Sequence, residues 1–105
     1  MQALAILLAL GAAGISVPLL LERGRVDGPP WRIQAGQRYL IRAHVEREED
    51  RPRVWFALKE IGAQNLQQIG GKISWEQTWP ASFVLGIAPS IGQASGIYIT
   101  GVYKR

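Results

Sequence analysis

The chain has 105 residues, a formal charge of +4, a single histidine and no cysteine. That length admits one small domain, the lack of cysteine excludes a disulfide framework and a thiolate metal site, and one histidine leaves no recognisable zinc or haem cluster. Nor does the positive charge point to nucleic acid: Arg23, Arg25, Arg32, Arg38, Arg42, Arg47, Arg51 and Arg53 are interleaved with Glu22, Asp27, Glu46, Glu48, Glu49 and Asp50, and no nucleic-acid fold motif accompanies them.

The first element is the uncharged run Ala3 to Leu21. A helix rising ~1.5 Å per residue needs about 20 mostly apolar residues to cross a bilayer, which predicts a transmembrane anchor over residues 1–21. Pro18 is tolerable near the end of such a span. Ala5, Ala9, Ala12, Ala13 and Ser16 recur three and four residues apart, so they form a small-residue face on which another membrane helix can pack closely. The alternative is a cleaved secretory signal, although no Lys or Arg precedes the apolar run as a signal's opening region requires. Arg23 and Arg25 follow immediately, at a depth suited to lipid head groups, and the positive-inside rule puts the C-terminal part on the cytoplasmic or particle-facing side.

Residues 22–37 read as a juxtamembrane linker, because Gly24, Gly28, Pro29 and Pro30 stop a helix. Trp31 belongs either at head-group depth or on the edge of a soluble core. Residues 38–105 then carry strand patterns. Tyr39, Ile41, Ala43 and Val45 alternate with Arg38, Arg42, His44 and Glu46. Arg47 to Arg53 reads as a charged hairpin tip, with a second strand through Val54, Phe56 and Leu58. Glu60 to Gly71 suits a short helical turn, and Lys72 to Trp79 alternates again until Pro80. Gln77 to Tyr103 has no charged side chain; Gly and Pro divide it into two apolar pieces, Phe83 to Ala88 and Ile97 to Val102, read as strands buried on both faces. A second membrane span over the same stretch is the competing reading. The fold expected is mainly β with one N-terminal transmembrane helix, the β part being a small antiparallel barrel or sandwich of about five strands.

No motif in the sequence carries catalysis or a cofactor. His44 falls on a charged strand face, where a solvated role outweighs that of a base. Gly70-Gly71-Lys72-Ile73-Ser74 fails as a phosphate loop, since position 66 is leucine and position 73 isoleucine. Glu48, Glu49 and Asp50 lie between arginines, as a solvated tip rather than a cation site. Trp75 and Trp79 are either core residues or exposed contacts for a partner. The expected protein is therefore not an enzyme and binds no cofactor or metal. It is a single-pass membrane subunit, oligomeric, with a structural or assembly role in a larger membrane-associated complex or membrane-containing virion; its partners are the lipid bilayer and other protein subunits. The alternatives are an exported binding module freed by signal cleavage and a two-span, holin-like membrane protein.

Overall fold

The computed structural model describes residues 23–105. The expected anchor, including Ala5, Ala9, Ala12, Ala13 and Ser16, lies outside the described residues. The described chain runs β1 (Trp31–Ile33), β2 (Arg38–Val45), a 3-10 turn (Glu48–Asp50), α1 (Arg51–Glu60), β3 (Gln64–Ile69), β4 (Lys72–Thr78), β5 (Phe83–Leu85) and β6 (Ile97–Lys104). Its six strands form two antiparallel sheets, one ordered β3-β4-β2-β6 and the other pairing β1 with β5.

β2 is one of the two inner strands of the larger sheet, and its alternation is complete. Tyr39, Ile41, Ala43 and Val45 are all buried, while the residues between them are partly or fully exposed. One face of the sheet is thereby committed to the core. Opposite β2, Ile73 and Trp75 of β4 and Ile97, Ile99 and Val102 of β6 complete that face. The β6 residues would not all point inward without an irregularity, since Ile97 and Ile99 are odd-numbered and Val102 is even. A bulge supplies it: Ile99 pairs with Ala43 but Gly101 with Arg42, so Thr100 is the extra residue that reverses the phase.

The expected second strand through Val54, Phe56 and Leu58 is instead helix α1. Val54 and Leu58, four residues apart, are fully buried in the core, and Phe56 between them is 66% exposed. Apolar residues at this spacing fit a helix face as well as a strand face. The flanks favour the helix: Pro52 stands in its first turn, Glu48, Glu49 and Asp50 precede its positive end, and Lys59 occupies the last turn.

Beyond the helix, the expected helical turn between Glu60 and Gly71 is replaced by strand β3. It turns back onto β4 through Gly70 and Gly71, with Ile69 opposite Lys72, which makes a two-residue hairpin loop. The piece expected as a doubly buried strand over Phe83 to Ala88 is only Phe83–Leu85; it pairs with β1, and Phe83 and Val84 are exposed. Likewise, β6 has one face outward at Tyr98 and Thr100 rather than two buried faces. The segment read as linker contributes to the fold, since Trp31 and Ile33 lie in the same buried cluster as the large sheet. Among the described residues no helix is long and apolar enough to cross a membrane, and the stretch considered as a second span holds β5 and most of β6.

One buried polar group joins helix to sheet. The Gln77 amide donates to the carbonyl of Ile61, at the C-terminal cap of α1, over 2.9 Å, and its oxygen accepts the Trp75 indole N–H at 3.0 Å. A helix end leaves carbonyls without intrahelical partners, so this side chain satisfies one of them and also the Trp75 N–H that burial would otherwise strand.

Candidate functional site

Among the described residues, two places on the large sheet combine exposed charge with defined geometry. The first is the end of the sheet where the described chain begins. Gly24 accepts from the Lys104 N–H at 2.7 Å, Arg25 forms an antiparallel bridge with Tyr103, and the Val26 N–H donates to Val102 at 2.8 Å. These bonds lay residues 24–26 along the outer edge of β6. Gly24 suits the contact because its φ is +80° and a Cβ would stand 2.5 Å from the Lys104 carbonyl oxygen.

The C-terminus is tied to the same end, with the Arg105 N–H donating to Arg38 at 2.9 Å. Arg23, Arg25, Lys104 and Arg105 thus share one end of the sheet, all of them exposed. Arg38 donates to Glu76 at 2.8 Å, and Arg105 lies 3.9 Å from the same carboxylate. The Arg38 hydrogen bond holds Glu76 below the usual carboxylate range; burial opposes this, and the Arg38 charge, Asn65 and Arg105 assist it.

The second place is the sheet face turned away from the core. Strand pairing arranges it in cross-strand rows: Tyr98, His44, Lys72 and Ile69 form one, and Gly101, Arg42, Ser74 and Gln67 the next. A shallow concavity of about 670 Å³ occupies this region, lined by Arg42, His44, Lys72, Ser74, Thr100, Gln67, Ile69, Ala43 and Ile73. No carboxylate is among its lining residues. Arg42 is held in place by an aromatic ring, its guanidinium carbon lying 5.3 Å from the centre of Tyr103. That ring covers the backbone of Gly101, where a Cβ would meet Tyr103 Cε1 at 2.9 Å. The missing side chain leaves the space that the ring fills.

The residues singled out in the sequence are dispersed. Arg23 and Arg25 stand at the first place. Trp31, for which head-group and core positions were both open, is in the core at 4% exposure. Trp75 is also buried, with its N–H used by Gln77, and therefore offers no surface to a partner. Trp79, just beyond β4, is half-buried between Tyr39 and Phe83, with ring centres 6.4 and 5.1 Å away. Asp50, at the charged turn, is buried with Arg47 and Arg53 each 3.8 Å from its carboxylate. The neighbouring Glu49 is held below its usual range by its hydrogen bond from Arg47. The concavity was not foreseen, because Arg42, His44 and Lys72 come from two strands whose pairing only the fold defines. Alternation did place Arg42 and His44 on one face.

Compared with protein-family models, with curated proteins and with solved structures, the chain matches none.

Proposed function

We propose that this protein is a non-enzymatic, single-pass membrane subunit, whose β domain is fastened at the bilayer surface and contributes structural or assembly contacts to a larger membrane-associated complex or membrane-containing virion. The observation that carries the reading is the bonding of Gly24 and Val26 to β6. An apolar run long enough to span ends at Leu21, and three residues later the chain is already part of the sheet edge. A domain attached this closely has little slack. Anchored by such a span, it would rest with Arg23, Arg25, Lys104 and Arg105 at head-group level, where each basic side chain gains roughly 1 kcal/mol beside anionic lipid.

Surface for other subunits is also present. Phe56, Ile61, Ile69, Val84 and Ile87 are exposed, and β3, the outer strand of the larger sheet, lies in a charge-free stretch from Ile61 to Gly71. Outer strands lacking charge or proline are templates for pairing with another chain.

Carbonate extraction of native membranes or particles, followed by intact-mass measurement, tests the proposal. Full-length chain retained with lipid is the expected result. A soluble chain shortened by about 14 residues would instead identify an exported module whose leader is removed.

A further inference from the structure

We infer that the outward concavity on the large sheet is a binding site for a small soluble phosphate compound of about nucleotide size, held by Arg42, His44 and Lys72. Three basic side chains from two adjacent strands face one hollow that no carboxylate lines. His44 and Lys72 are direct cross-strand partners, and Arg42 follows two residues before His44 on the same face. Ser74 and Thr100 add hydroxyls and Gln67 an amide, so the hollow offers both charge and neutral donors to phosphate oxygens.

Arg42 is the best-prepared of these groups. Its guanidinium already lies against Tyr103, which reduces the side-chain freedom lost on binding. The hollow also has an apolar portion from Ile69, which is 79% exposed. A phosphate monoester bearing an apolar or aromatic body fits that division better than inorganic phosphate alone.

The choice of a soluble compound over a lipid head group rests on the membrane reading above. Arg38 and Arg105 mark the end of the sheet near Gly24, whereas the His44–Lys72 row lies at the other end of β2. About six residues separate these rows, or roughly 20 Å along the strand. Head groups of the chain's own bilayer would meet Arg23 and Lys104 before they met His44.

The test is titration of the isotope-labelled full-length chain in zwitterionic lipid nanodiscs with inorganic phosphate, pyrophosphate and AMP, following amide shifts by NMR. Saturable shifts centred on Arg42, His44, Lys72, Ser74 and Thr100 are expected, with AMP the tighter ligand. Arg42→Gln and Lys72→Gln should each weaken binding about tenfold, corresponding to the loss of one charge-assisted hydrogen bond, while Lys59→Gln on the exposed side of α1 leaves it unchanged. Lys72 is exposed, so its variant is not expected to perturb folding; preserved dispersion elsewhere in the spectrum verifies this. Absence of saturable shifts, equal weakening by Lys59→Gln, or shifts seen only with phosphatidic acid in the disc or only with an oligonucleotide would each overturn the site. Retention in the nanodisc is read in the same sample, so loss of the phosphate site is distinguishable from failure of the membrane reading.

Discussion

Gln77 shows how one side chain can carry more than its size suggests. It is 5% exposed and serves both the Trp75 indole and the Ile61 carbonyl. Replacing Gln77 with Leu leaves the buried Trp75 indole N–H without its acceptor, while water can reach the exposed Ile61 residue; it should cost about 1–2 kcal/mol, measured as a lower urea midpoint with an unchanged slope. Glu76 makes a different prediction because its bond to Arg38 is partly exposed. Its folded pKa is lowered, so its stabilisation is present above the ordinary glutamate pKa and disappears as pH falls through the folded value. Glu76→Gln should therefore lose up to about 1 kcal/mol at neutral pH. That deficit should shrink steadily as pH falls below the ordinary glutamate range and through the lowered folded value, where the wild-type carboxylate takes up its proton as well. Urea melts of both proteins across this range check the convergence.

At the level of elements, α1 and the 24–26 clamp are the two departures from a simple strand succession. The apolar triplet Val54, Phe56 and Leu58 satisfies a strand period, while Val54 and Leu58 alone satisfy a helical one. Local signals were present in Pro52 and the acids before it, but the deciding factor is that the core has room for the Val54–Leu58 face and leaves Phe56 outside. The clamp depends on Gly24. Gly24→Ala puts a Cβ against the Lys104 carbonyl at an unfavourable φ, and should destabilise the domain by about 1 kcal/mol or more. Hydrogen exchange provides the local readout: the Val26 and Lys104 amides should lose protection first, ahead of those in β2.

For the whole molecule, the arrangement separates three surfaces: a basic end beside the entry of the chain, an outward sheet face with its concavity, and the outer strand β3. The bulge between Gln64 and Gln67 interrupts regular pairing at one end of β3, which leaves Gln67–Ile69 as the part best suited to accept another strand. If subunits meet there, Gln67→Lys together with Ile69→Lys should lower the oligomeric state in detergent without altering the far-ultraviolet circular dichroism. Analytical ultracentrifugation is the measurement; an unchanged mass would move the contact to the exposed residues of α1 or β5.

Much of the β architecture was readable in advance because alternation is a local property. The inward set of β2 and the strand from Lys72 follow from a two-residue period in one segment; the strand from Ile97 follows from an apolar run bounded by Gly and Pro, although its outward face at Tyr98 and Thr100 does not, and the apolar run of spanning length is equally local. Other features depend on two distant segments meeting. The β6 bulge exists because Val102 must face Ile41 while Ile99 faces Ala43, and neither segment contains that requirement alone. Burial of Trp31 and Trp75 likewise reflects which surfaces the folded chain covers, since an aromatic side chain suits core and interface equally well. The concavity has the same origin. Arg42, His44 and Lys72 are ordinary basic residues in the sequence, and antiparallel pairing of β2 with β4 brings them to one hollow that no carboxylate lines.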